Sequence, residues 1–202
     1  MVAMDDTRTP PGGSTALLLI DLQRWIVDLP LSPIPGPMVV DRCARLSRAF
    51  VAAAQPVILV RYLRGDGTDG GGQAVSNRFV PEIATVAGAL VVTKTGLDAF
   101  AGATEDGTPL GGLLAGLDVG TVVIAGIATP HGVAATALGA LRHGYPAVVV
   151  PDATAASGSR EHAAALASLR AASVEPAGVE EVIGRLRGRG IGLQQPARPS
   201  PR

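Results

Sequence analysis

The 202-residue chain has a single cysteine, Cys43, so it can close no internal disulfide and build no thiolate metal cluster. Its three histidines, His131, His143 and His162, are scattered without metal-ligand spacing. Charge of either sign is not in excess: 17 basic and 17 acidic residues cancel, leaving no electrostatic hold for nucleic acid or an anionic membrane surface. No apolar run reaches the roughly 18 residues that a membrane span needs. The opening MVAMDDTRTPPGGS is acidic and lacks the apolar stretch of a signal peptide, so a cytoplasmic location is the expectation. Lysine is nearly missing too. Sixteen of the 17 basic residues are Arg, and the one Lys is Lys94. On composition alone, Lys94 reads as an ordinary surface residue.

What is present is apolar. Hydrophobic residues make up 47% of the chain, enough for one domain, which at this size buries roughly 70% of the surface of its unfolded chain. Residues 1–14 and 188–202 are rich in Pro and Gly without periodicity and read as disordered tails. The body, 15–187, alternates strand and helix patterns. Strands are expected at 16–20, 57–62, 89–93, 121–127, 147–150 and 173–175. Helices are expected at 38–54, 110–117, 130–142, 160–170 and 179–187, with proline-laden loop over 26–35 and Gly/Asp-rich loop over 64–78. Cys43 falls on the apolar stripe of the first helix with Val39, Val40, Leu46 and Phe50, so it reads as a packed hydrophobe. The alternation implies βαβ units: a three-layer α/β sandwich with a mostly parallel sheet of about six strands.

The organising stretch is TVVIAGIATPHGVAATALGA, residues 121–140. It reads as a buried strand, a tight turn and a helix, with Thr129 as N-cap and Pro130 in the first helical position. Ligands of open α/β sheets bind beyond the carboxyl ends of the strands. Asp21 follows the first strand, Lys94 ends the third, and the turn 129–133 follows the fourth. A carboxylate and an ammonium at neighbouring strand ends are the parts of a proton-transfer site. Read singly, Asp21 only caps a turn and Lys94 is only solvated; their convergence points to chemistry.

The segments LLLIDLQ (17–23), TKTGLDAF (93–100), AGIATPHGVAATALGALRHGY (125–145) and VVVPDATAAS (148–157) resemble the isochorismatase-like hydrolases in order and spacing. The likeness covers roughly 15–187. It implies the sandwich fold, a small-molecule substrate and assembly into homo-oligomers; no cofactor is expected, and no metal. In the amidase branch of that family the triad is Asp, Lys and Cys. Asp21 and Lys94 match the first two, and Gly132 stands at the position of the Cys. Without a thiolate no thioester forms. Isochorismatases likewise carry Gly there and cleave a vinyl ether without a covalent intermediate, an Asp acting as general acid. That branch usually shows a His before the Asp and an Arg-Tyr pair after the Lys. Here Ile20 precedes Asp21, and Thr95, Gly96 and Leu97 follow Lys94. A carboxylate beside an ammonium is also held acidic unless burial opposes it.

The resemblance thus implies a hydrolase acting without a cysteine nucleophile. Asp21 is its acid/base, Lys94 tunes Asp21, and backbone N–H groups at Gly132 and Val133 stabilise negative charge. Gln23, Trp25, Phe100, Thr129, His131 and Val133 are the candidate substrate contacts. Two rivals stand beside it. One is a family member that has lost its nucleophile and only binds a ligand or partner. The other is an amidase in which His131 activates water directly. Asp98 and Asp152 read as turn caps, and His162 as a structural hydrogen-bonder. Among the residues after the second strand, Asp66 and Asp69 have no His beside them to complete the zinc element of some nicotinamidases.

Overall fold

The structure, a computed structural model, describes residues 13–190. The elements run β1 (Ser14–Ile20), α1 (Arg24–Val27), α2 (Gly36–Ala52), β2 (Val57–Tyr62), α3 (Pro81–Ala84), β3 (Leu90–Lys94), α4 (Leu110–Gly116), β4 (Val119–Ile127), α5 (Ala134–Arg142), β5 (Ala147–Ala155), α6 (Ser159–Ala171), β6 (Glu175–Pro176) and α7 (Val179–Gly190). Six strands form one parallel sheet in the order β3-β2-β1-β4-β5-β6. Both faces of the sheet are covered, which is why its strands read as continuous apolar runs rather than alternating ones. Leu17 and Leu19 of β1 meet α2 and α7 through Leu46, Phe50, Ile183 and Leu186. Ala16, Leu18 and Ile20 face the other way, toward Leu110 and Leu114 of α4, Ala137 of α5 and Leu169 of α6. This is the expected three-layer sandwich. Fully buried leucines on both faces contribute roughly 1.5–3 kcal/mol each.

The element boundaries depart from the sequence pattern where tertiary contacts override it. The one-turn α1 begins at Arg24 and runs into the segment expected to be loop, and α3 forms after Val80 where no helix was expected. Strand β5 continues to Ala155 instead of ending at Val150, because a register shift opposite Ile124–Gly126 lets the chain pass Pro151 and Asp152 and pair again at Thr154. The edge strand is Glu175–Pro176 rather than 173–175, since Ser173 turns at φ +70°. Helix α7 runs past 187 to Gly190, and Ser14 already belongs to β1; residues 1–12 and 191–202 of the expected tails lie outside the described residues. Among the described residues no helix is long and apolar enough to cross a membrane.

Candidate functional site

The carboxyl ends of β1, β3 and β4 carry the polar groups. Asp21 ends β1 in a left-handed conformation, φ +53°, one that Asp tolerates better than most residues. Its N–H still donates to the Val60 carbonyl at 2.9 Å, so its place beside β2 is fixed. Across β2, Lys94 closes β3 in register with Tyr62. The Lys94 Nζ donates to Asp21 Oδ2 at 2.8 Å and to the Gly96 carbonyl at 3.2 Å. Its third side faces the ring of Tyr62, 5.4 Å from the centroid. Lys94 is thus no solvated surface residue: it is 1% exposed, and Asp21 is 6% exposed.

Gly132 completes the group. A Cβ built on it would stand 2.9 Å from Asp21 Oδ2 and 3.5 Å from Lys94 Nζ. The turn that delivers it is not the regular helix start expected from the sequence. Residues 129–133 form one wide, irregular turn in which His131 leaves helical geometry (φ −116°, ψ −106°), and regular helix begins only at Ala134. The Ile127–Ala128 peptide preceding it is cis. Thr129 is not an N-cap. Its buried hydroxyl donates to the Ala155 carbonyl at 3.0 Å and meets His162 Nδ1 at 2.8 Å. With the hydroxyl proton spent on Ala155, His162 Nδ1 must be the donor, and this fixes its tautomer. Burial holds the His162 imidazole below its usual pKa.

The other expected contacts separate. Val133 is fully buried in the core of the α5 face, and its N–H, expected to stabilise negative charge, donates instead to the Ala128 carbonyl at 3.3 Å. Gln23 is fully buried and committed: its amide donates to the Tyr62 carbonyl at 2.9 Å and accepts the Tyr62 N–H at 2.8 Å. It therefore sets the position of Tyr62. Phe100 stacks on His143 with ring centroids 4.5 Å apart and packs against the α4–α5 face. Trp25 lies on α1, 40% exposed, and His131 is exposed beside Gly132. Asp98 caps the turn after β3 by accepting the Phe100 N–H, and Asp152 accepts the Val179 N–H at the start of α7.

Two residues at the site carried no expectation. Tyr62 had only its register opposite Lys94 to mark it. Gly126 could have been found as the glycine interrupting a β-branched run. Its φ is +115°, and a Cβ there would overlap the Ile20 carbonyl and stand 2.7 Å from the Ile20 nitrogen. Only glycine lets β4 lie this close beneath Asp21.

Electrostatically, two effects oppose each other at Asp21. Burial raises its pKa, while the charge of Lys94 and its hydrogen bond lower it; burial prevails and the carboxyl is pushed up to about 6. The Oδ1 atom is buried and unpartnered. A carboxyl that holds its proton near neutrality, with one oxygen anchored to an ammonium and the other unspent, is equipped to donate a proton. Among the described residues, no three His, Cys, Asp or Glu side chains gather as a metal site.

The comparisons with known proteins bear on the family and the fold. The family model of the isochorismatase domain matches residues 15–181. An uncharacterised isochorismatase family protein of Bacillus subtilis, YwoC, is 32% identical over 166 residues, covering 75% of this chain and 83% of its own. A second, YecD of Escherichia coli O157:H7, is 28% identical over 186 residues, 86% of this chain and 96% of its own. Among solved structures, an isochorismatase family protein from Burkholderia thailandensis superposes with a TM-score of 0.76 at 30% identity, covering 86% of this chain and 96% of its own. The chain belongs to the isochorismatase family of hydrolases.

Proposed function

We propose that the protein hydrolyses a vinyl ether of a small carboxylic acid without a covalent intermediate. One observation carries the reading: Asp21 is held up to about 6 in spite of Lys94, with Oδ1 unpartnered, beside a residue that has no side chain. In this reaction neutral Asp21 transfers its proton to the terminal carbon of the enol ether, leaving an oxocarbenium ion at the ether-bearing carbon. Water adds there and loses a proton to the Asp21 carboxylate. The resulting hemiketal splits into a 2-oxo acid and an alcohol, so a 3-carbon enol ether gives pyruvate. The fixed charge of Lys94 limits how high the Asp21 pKa climbs and stabilises the carboxylate left after proton transfer.

Gly132, at the position the family resemblance assigns to a cysteine in amidases, offers no nucleophile, and the one thiol is remote from this role. Cys43 lies on α2 in the core of the opposite sheet face, and burial raises its pKa. Acyl-enzyme chemistry is therefore disfavoured.

A second reading, a catalytically silent member that binds a ligand, draws on how little of the pair is exposed: 6% of Asp21 and 1% of Lys94. Pyruvate release from isochorismate, measured beside Asp21→Asn, separates the two. Release that disappears in the variant supports vinyl-ether hydrolysis. A well-folded wild type that releases none overturns it.

A further inference from the structure

We infer that the Tyr62 hydroxyl is the substrate-anchoring donor of this site and selects ligands that present a carboxylate oxygen next to the reacting carbon. The inference rests on the reading of Asp21 and Lys94 as the reacting pair.

The argument is an accounting of donors. An ammonium has three N–H bonds; Lys94 spends two on Asp21 Oδ2 and the Gly96 carbonyl, and the Tyr62 ring lies 5.4 Å from its Nζ. At 1% exposure it has little room to turn toward a ligand. The Val133 N–H is spent on Ala128, and the Gln23 amide on Tyr62 itself. Tyr62 differs. Its backbone is clamped on both sides by Gln23 and its ring covers the ammonium, yet among the described residues its hydroxyl has no hydrogen-bond partner. Tyr62 is partly exposed where Lys94 is buried, so solvent reaches the tyrosine and not the ammonium. A cation on the ring face draws electron density from it, which makes the O–H a better donor. A ligand oxygen accepting that bond gains most if it is anionic. A carboxylate there also feels Lys94 through the ring without having to displace Asp21. The fixed backbone suits this role, because a specificity contact must hold its geometry.

The test uses Tyr62→Phe, which keeps the ring over Lys94 and removes only the hydroxyl. Two readouts are taken. One is steady-state pyruvate release from isochorismate; the other is calorimetric binding of its saturated lactyl-ether analogue, which cannot be hydrolysed. The expected result is a 10- to 100-fold rise in KM and a matching loss of analogue affinity. The kcat should fall less than the affinity, with the pH dependence of kcat unmoved, because Asp21 keeps its surroundings. The methyl ester of the analogue should bind wild type and Tyr62→Phe equally weakly. A wall residue without a polar role would leave KM and affinity unchanged in Tyr62→Phe, and that result overturns the inference. Wild type that binds the analogue through Tyr62 but releases no pyruvate overturns the proposed reaction and leaves this inference standing. Wild type that fails to bind the analogue at all overturns the ligand class assigned here.

Discussion

Gly132 lies so close to Asp21 that a Cβ on it would stand 2.9 Å from the carboxylate Oδ2 and 2.8 Å from Ile20 Cγ2. Both distances are shorter than real Cβ contacts, but both atoms belong to side chains, and the backbone at 132 is not left-handed. Gly132→Ala should therefore fold, with a stability loss of about 1–2 kcal/mol from overpacking. It should nevertheless lose at least tenfold in turnover, because the methyl group occupies the ground beside the proton donor. Thermal unfolding and steady-state rates, measured together, check this. Unchanged turnover would mean that the space over Asp21 is not where the substrate reacts.

The raised pKa of Asp21 has a definite sign for both activity and stability. Its value in the folded protein, about 6, exceeds the ordinary 3.8. The stability this group contributes is complete below pH 3.8 and is lost as pH rises through 6, because the folded state then has to hold a buried charge. A shift of this size corresponds to roughly 2–3 kcal/mol. Relative to Asp21→Asn, the wild type should lose stability between about pH 4 and 7, as read by urea unfolding at a series of pH values. Turnover, which needs the protonated acid, should be flat below about pH 5 and fall tenfold per unit above 6. A rate that climbs through pH 6 would make Asp21 a base instead.

Lys94→Met removes the one cation that touches Asp21 among the described residues while keeping a long apolar side chain. Both influences of Lys94 lower the Asp21 pKa, so the variant's carboxyl should titrate above 6. The carboxyl resonance followed by NMR should show this upward displacement. Above that new pKa the variant should be several kcal/mol less stable than wild type, since removing one partner leaves a buried charge unpaired. Below pH 5 the difference should shrink, because Asp21 is then neutral. An Asp21 that titrates no higher without Lys94 would refute the coupling.

Much of this was legible in the sequence. The apolar runs ending at Asp21 and Lys94, and the β-branched run before the 129–133 turn, are local patterns, and parallel stacking brings their ends to one rim without further information. That is why the sheet, the two charged residues and the 129–133 turn are legible in the pattern, whereas Gly132 within that turn is singled out only by the family resemblance. The role of Thr129 was not. A Thr before Pro looks like an N-cap, but Ala155 and His162 come from segments 26 and 33 residues away, and a long-range pair of partners outweighs the local propensity. The balance at Asp21 was hidden for a similar reason. Sequence supplies the opposing Lys94, whereas burial, the larger effect, exists only once the layers close. Gln23 and Tyr62 were obscured because their bonds cross between neighbouring strand ends.

The Thr129–His162 contact yields a prediction that distinguishes hydrogen bonding from packing. Thr129→Val keeps the shape and removes the hydroxyl, leaving the Ala155 carbonyl and His162 Nδ1 without this partner in a buried place. Each buried group left unsatisfied costs roughly 1–3 kcal/mol, so the variant should melt well below wild type, while Thr129→Ser should recover most of the loss. A Val variant as stable as wild type, with the Ser variant the less stable of the two, would show that the methyl, not the hydroxyl, holds the turn.

Gly126 provides the most severe test, because two independent constraints meet there. Its φ of +115° lies in a region that side chains with a Cβ rarely adopt, and its Cα faces the backbone of Ile20. In Gly126→Ala the new methyl would meet the Ile20 carbonyl and nitrogen, which are main-chain atoms fixed by pairing on both sides of β1. Neither a rotamer change nor a small side-chain shift can relieve that contact. Strands β1 and β4 must part locally, and Asp21, the next residue after Ile20, moves with β1. The expected outcome is a loss of more than about 3 kcal/mol, seen as poor soluble yield or a strongly lowered melting temperature. Any folded fraction should show the Asp21 titration displaced from 6. Gly120→Ala supplies the comparison: its Cβ would come no closer than 3.3 Å to another atom, at backbone that is not left-handed. A Gly126→Ala protein as stable as Gly120→Ala would refute the claim that this backbone approach sets the position of the acid.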